Sequence, residues 1–112
     1  MRINQLPAVC FSVLALAACT AAQAAQPDAE ENAALKNLAA CNLAFSRVIA
    51  AQQGDPVSLA IAAYGMCNPQ VVALSNAYSR HLPPYRLKEL LDRIRTQAID
   101  TNAATIVMRR SQ

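Results

Sequence analysis

Several residue types that build active sites are scarce in this chain. Its 112 residues include two glycines, one histidine and no tryptophan, and two glycines are too few for a loop that wraps a phosphate group. The lone His81 has no partner histidine, no Cys-x-x-Cys sequence is present, and no serine lies in a known nucleophile motif. The sequence therefore predicts a protein that is not an enzyme and has neither a metal site nor a cofactor.

Strong net charge is also lacking. Removal of the first 24 residues, which takes away only Arg2, leaves nine Lys and Arg residues (ten less one) against seven Asp and Glu residues, a net charge of +2. Proteins that bind nucleic acid usually carry a much larger basic excess on one surface. We therefore expect no nucleic-acid partner.

The N-terminal segment is apolar but short. Residues 8–18 (AVCFSVLALAA) form an 11-residue run that follows Arg2, whereas a membrane-spanning helix needs about 20 apolar residues. A basic start followed by such a run is typical of a secretory signal peptide. The small-x-small sequence Ala22-Gln23-Ala24 predicts cleavage after Ala24.

A second cleavage site competes with the first. The sequence Leu16-Ala17-Ala18-Cys19 resembles the lipobox of bacterial lipoproteins, and this resemblance implies cleavage before Cys19 and acylation of that residue. The signal peptide is then 1–24 or 1–18, followed by a flexible tether over 19–28 and a helical domain over 29–112. The lipobox alternative implies a periplasmic protein anchored to the membrane by Cys19. Cleavage after Ala24 implies a soluble periplasmic or secreted protein, and an uncleaved cytosolic chain is the remaining alternative.

The rest of the chain has the pattern of helices. Gly54-Asp55-Pro56 and Leu82-Pro83-Pro84 divide it into three segments, and apolar residues recur at steps of three and four in each. The pattern predicts an all-α fold, a small antiparallel bundle of three helices. Pro69 either kinks the second helix or breaks it into two nearly collinear helices, which would give four. The predicted buried stripes are Ala34, Leu38, Cys41, Phe45 and Val48; Val57, Ala60, Tyr64, Cys67, Val71, Leu74 and Tyr78; and Leu87, Leu91, Ile94, Ala98, Thr101, Thr105 and Met108.

Two cysteines lie at matching distances from the first turn. Cys41 precedes Gly54 by 13 residues and Cys67 follows Asp55 by 12. Two antiparallel helices rise equally on both sides of a turn, so the two side chains should lie at one level. In an oxidising compartment this spacing predicts a Cys41–Cys67 disulfide.

The second segment lacks charge altogether. No Asp, Glu, Lys or Arg occurs from Val57 to Ser79. Three interpretations remain open: the central helix of the bundle, an exposed surface for a partner or for self-association, and a membrane span. We expect a small binding or accessory protein of the inhibitor, immunity or adaptor kind, and a structural, homo-oligomerising component is the alternative. The predicted interaction surface consists of Leu59, Ile61, Ala62 and Met66.

Overall fold

The structure, a computed structural model, describes residues 28–112, and this part of the chain is helical with no strand. The prediction of an all-α fold is confirmed. Residues 28–112 form four helices and not three, which is the number expected if the second segment breaks. The helices are α1 (Ala29–Ile49), α2 (Pro56–Met66), α3 (Asn68–Ser79) and α4 (Pro84–Arg110).

Helix α1 begins with a reciprocal cap. The side chain of Asp28 accepts a hydrogen bond from the backbone N–H of Glu31 at 2.8 Å, and the side chain of Glu31 accepts one from the backbone N–H of Asp28 at 3.1 Å. Two N–H groups that a helix start leaves without partners are thereby satisfied. Asp28, assigned above to the end of the tether, is thus the residue that starts the first helix.

The turn between α1 and α2 depends on Gly54 and Asp55. Gly54 has a φ of 141°, a backbone conformation that other residues rarely adopt. The side chain of Asp55 then accepts a hydrogen bond from the backbone N–H of Ser58 at 2.9 Å, and Pro56 occupies the first turn of α2, where its missing N–H has no cost. Helix α1 has already ended at Ile49, so Gly54 lies in the turn that follows it, and Asp55 and Pro56 start α2.

The second predicted segment is broken at Cys67. Helix α2 ends at Met66, α3 begins at Asn68, and the two are bent by 63°. Pro69 lies in the first turn of α3, where proline is tolerated because the first N–H groups make no intrahelical bond. The prediction of two nearly collinear helices is wrong, because the bend redirects the chain: α2 packs mainly against α4, and α3 mainly against α1.

Helices α1 and α4 run in the same direction. The side chain of Asn102 contacts that of Asn42, and the side chain of Arg110 donates a hydrogen bond to the carbonyl of Ala50 at 3.1 Å. Both pairs have the same sequence separation of 60 residues. A contact further along α1 is therefore matched by one equally far along α4, as in parallel helices. Helices α2 and α3 lie between these two in the chain and run in the opposite direction.

The interior contains two groups of buried apolar side chains. The first group joins the end of α1 to α2 and the last turns of α4: Ile49, Ala50, Leu59, Ala60, Ala63, Ile99 and Ile106. The second joins the start of α1 to α3: Ala34, Leu38, Cys67 and Leu74. Apolar burial in both groups stabilises the helix packing.

The end of the predicted α1 stripe is wrong. Phe45 is 38% exposed and Val48 is 71% exposed, whereas Asn42, Ser46 and Ile49 are buried. The buried face is therefore rotated from the face that hydropathy favours. A polar residue can take a buried position where its hydrogen bonds are satisfied, and the pair formed by Asn42 with Asn102 has this property.

A membrane-spanning helix was one interpretation of residues 57–79. Among the helices that the structure describes, none by itself has the length and hydropathy to cross a membrane, while α2 and α3 together would pass by length and composition but are bent by 63°.

Candidate functional site

The disulfide joins the two halves of the predicted hairpin. Cys41 on α1 and Cys67 between α2 and α3 are bonded, with a Cα–Cα distance of 5.9 Å, which is typical of disulfides. Cys67 is completely buried. The predicted pairing is confirmed, and the bond holds the bend between α2 and α3 against α1.

One side of α2 faces away from the other helices, and we call it the α2 outer face. Ile61 is 44% exposed, Met66 50% and Val57 55%, and a Cβ added at Gly65 would meet no atom within 4 Å. Isolated exposed apolar residues are common, but a continuous group of them is typical of an interaction site. The α2 outer face comprises Val57, Ser58, Ile61, Ala62, Gly65 and Met66.

The structure corrects one member of the predicted surface. Ile61, Ala62 and Met66 lie on the α2 outer face, but Leu59 is buried and belongs to the interior group with Ala60 and Ala63. Ile61 follows Leu59 by two positions, which is a rotation of about 200° around an α-helix. Leu59 therefore points inward for the same geometric reason that Ile61 points outward.

Three further residues of this face were absent from the predicted surface, and one of them, Val57, was predicted to be buried in the second stripe but is exposed. Val57, Ser58 and Gly65 are exposed beside Ile61 and Ala62. Positions 57, 61 and 65 follow one another at steps of four, as do 58, 62 and 66, and this spacing defines one face of a helix. Counting in steps of four from Ile61 and Ala62 would have found all three residues.

The edge of α2 next to α4 differs from the outer face. The guanidinium of Arg95 lies over the ring of Tyr64 at 5.9 Å from its centroid, a distance at which a cation interacts favourably with an aromatic ring. Burial raises the pKa of Tyr64, so the phenol is neutral at physiological pH. The guanidinium of Arg95 thus contacts Tyr64 at this edge, and Tyr64 is not part of the α2 outer face.

A second apolar surface is a groove between α1 and α4. It has a volume of about 230 Å³, and the buried Asn42 and Asn102 form part of its wall. Leu43 is 42% exposed at the same surface. The apolar lining consists of Leu35, Leu38, Ala39, Leu43, Ile94 and Ala98.

The remaining predicted site residue, Cys19, and the signal segment lie outside the described residues. Comparison of the chain with known protein families, curated proteins and solved structures finds no match.

Proposed function

We propose that this chain is a binding or accessory module of the bacterial cell envelope, without catalytic activity, that docks a protein partner through the α2 outer face. The single observation that supports the proposal is the continuous exposure of Val57, Ile61 and Met66 on one helix. This helix has no charged side chain. Desolvation of such a face is favourable, because apolar area is removed from water without burying a charge.

The shape of the surface favours a partner with an apolar groove. A single helix presents a convex ridge, and a helix laid in a groove is a recurrent mode of recognition. The α2 outer face has six residues, fewer than the roughly 20 residues that each side of a stable interface usually supplies. A partner that encloses α2 would have to contact further residues, and Val72 on α3 is another apolar side chain of similar exposure, at 49%. We therefore propose a different protein as the partner, since a second copy would oppose one ridge to another.

Self-association through unlike surfaces is the second candidate. The groove between α1 and α4 is a concave surface that a neighbouring copy could fill with its α2 outer face. Contacts of this head-to-tail kind produce rings or filaments, not simple dimers. This candidate corresponds to a structural, homo-oligomerising component of the envelope.

The location and the stability of the domain belong to the same proposal. We infer a periplasmic protein with a signal peptide, anchored to the membrane by lipidated Cys19, in which the four helices form an independently stable bundle. The resemblance to a lipobox supports the anchor, and the Cys41–Cys67 disulfide is compatible with an oxidising compartment. Cys19→Ala should move a membrane-associated protein to the soluble fraction without changing its helicity. A wild-type protein that is soluble and begins at Ala25 would contradict the anchor.

The experiment that tests the proposed surface compares matched substitutions. Val57 and Val107 have similar exposure, 55% and 52%, but only Val57 lies on the α2 outer face. Affinity capture from envelope extract should recover a partner with wild type and with Val107→Lys, and should lose it with Val57→Lys or Ile61→Lys, because each introduces a charge into a desolvated apolar contact.

Size measurements on the purified protein separate the two candidates. A monomer at all concentrations that shifts only with the captured partner supports the first. An oligomer whose size rises with concentration, and which both Ile61→Lys and Leu43→Lys reduce to a monomer, supports the second. Equal capture by wild type and Ile61→Lys, with circular dichroism showing both folded, would remove the α2 outer face from consideration.

A further inference from the structure

Three ionisable side chains meet where the start of α1 contacts the turn after α3. Nε2 of His81 lies 3.0 Å from Oδ2 of Asp28 and 3.4 Å from Oε1 of Glu31. The other oxygen of each carboxylate is already used by the α1 cap, since Oδ1 of Asp28 and Oε2 of Glu31 accept the two backbone hydrogen bonds. The cap therefore orients the two remaining oxygens towards one imidazole nitrogen.

Glu31 differs from an ordinary surface carboxylate. The residue is 4% exposed, and its Oε1 atom is buried and makes no hydrogen bond to any residue of 28–112. His81 does not supply this hydrogen bond, because its Nε2 is bonded to Asp28. A buried carboxylate oxygen needs a hydrogen-bond donor or a cation, and here it is directed at the other two groups.

We propose that Asp28, Glu31 and His81 bind a divalent transition-metal ion of the Zn²⁺ class. Zinc bonds to carboxylate oxygen and imidazole nitrogen are about 2.0–2.2 Å long, which in tetrahedral geometry places neighbouring ligand atoms about 3.3–3.6 Å apart. One ligand atom from each of the three side chains lies within 4.8 Å of the other two, and Nε2 of His81 is 3.0 and 3.4 Å from the two oxygens. Small side-chain adjustments suffice to form the site.

The donor set also selects the kind of ion. Imidazole is a good ligand for Zn²⁺, whereas Mg²⁺ and Ca²⁺ prefer oxygen ligands alone and in larger number. Three protein ligands leave the fourth tetrahedral position open. The bound ion would join the start of α1, through its capping residue Asp28 and through Glu31, to the turn between α3 and α4, and so would stabilise the folded chain.

Arg80 is the competing cation at this site. Its Nη2 atom lies 2.7 Å from the carboxylate of Glu30 and 3.8 Å from Oδ2 of Asp28. The guanidinium is about half exposed and can stay with Glu30 while the ion takes the other three groups. Its positive charge nevertheless opposes a second cation, so removing it should strengthen metal binding. If the cluster serves only as an ion pair, the protein should have no affinity for zinc, with or without the positive charge of Arg80.

The test is a titration of the full chain, without a histidine tag, with zinc chloride. A Cys10→Ala, Cys19→Ala background removes the two thiols outside the disulfide, which would otherwise bind zinc. Isothermal titration calorimetry should give one Zn²⁺ per chain, and zinc should raise the melting temperature where the same concentration of magnesium chloride does not. Absence of zinc binding overturns the proposal.

Isosteric variants assign the ligands. Glu31→Gln and Asp28→Asn keep an oxygen for the cap and should each weaken zinc binding at least about tenfold, and His81→Ala should abolish it. Glu89→Gln, the same charge change at an exposed position of α4, should have no effect, and Arg80→Gln should tighten binding. Circular dichroism without metal identifies any variant that fails to fold. If one of the two carboxylate variants is unfolded, the zinc affinity of the other one tests the assignment. Equal zinc affinity in wild type and a folded Glu31→Gln or Asp28→Asn variant would overturn the assignment.

Discussion

The side-chain amide of Asn102 donates a hydrogen bond of 2.7 Å to the side-chain oxygen of Asn42, joining α4 to α1 in the interior. The same amide donates to the carbonyl of Ala60 on α2 at 3.2 Å, and Asn42 donates to the carbonyl of Leu38 at 2.9 Å. Both asparagines are at least 95% buried. Three helices are thus held in one register by polar groups that are satisfied only in that register.

The asparagine pair should be strongly coupled. Asn102→Leu removes the donor to Asn42 and Ala60 and leaves a buried oxygen without a partner, so we expect a loss of about 1–3 kcal/mol in the free energy of unfolding. Asn42→Leu should act similarly. The double variant should lose clearly less than the sum of the two, because no unpaired polar side chain then remains. Urea denaturation of the four proteins measures the coupling, and strictly additive losses would contradict it.

The disulfide should be a large contributor to stability. It closes a loop with a sequence separation of 26, for which the chain-entropy account gives about 3–4 kcal/mol. Cys41→Ser should therefore lower the melting temperature far more than Ser79→Ala, a change at an exposed position. Thiol titration of the denatured, unreduced protein should detect no thiol from Cys41 or Cys67. Two free thiols from these residues would exclude the bond in the protein as isolated.

Truncation should destabilise the fold much more at Leu59 than at Ile61, although both lie on α2. Leu59→Ala removes a buried side chain that contacts the α1–α2 turn near Gly54, and we expect a loss of about 2–3 kcal/mol in the free energy of unfolding. Ile61→Ala alters an exposed side chain and should cost less than about 1 kcal/mol. Thermal and chemical denaturation of the two variants compare them directly. The reverse order would place Ile61 in the interior and remove it from the α2 outer face.

The cap of α2 should make stability depend on acid pH. Hydrogen bonds from Ser58, through its side chain and its backbone, lower the pKa of Asp55 below 3.8. A carboxyl group whose pKa is lower in the folded state stabilises the fold fully above its ordinary pKa and loses this contribution as the pH falls through the folded pKa. Wild type should therefore lose more stability than Asp55→Asn between about pH 5 and pH 2.

The comparison of the two proteins isolates this carboxylate. Asparagine keeps an oxygen that can cap the helix, and other acidic groups, such as Asp28, titrate in both proteins. Melting temperatures recorded across this pH range are the measurement. Parallel pH curves for wild type and Asp55→Asn would show that the cap does not depend on the charge of Asp55.

Local features of the sequence predicted the helices and their ends. Gly54 suits the turn between α1 and α2 because glycine tolerates a positive φ. Asp55 and Pro56 start α2 because a side-chain acceptor and a fixed φ both suit a helix start. The nearly equal distances of Cys41 and Cys67 from that turn, 13 and 12 residues, predict their disulfide. These inferences succeed because each depends on residues close together in the chain, or on a rise per residue that every α-helix shares.

Only the tertiary structure decided the orientation of the helices and what fills their contacts. The hydropathy pattern predicts that Phe45 and Val48 lie on the buried face of α1, whereas in the fold Asn42 and Ser46 are buried on that helix. A buried asparagine is stable only where a partner meets it, and its partner lies 60 residues away. The approach of His81 to Asp28 likewise joins residues 53 positions apart. Such pairings depend on the bend at Cys67 and on the register of α1 against α4, which arise from the packing of the whole chain and not from any local stretch of it.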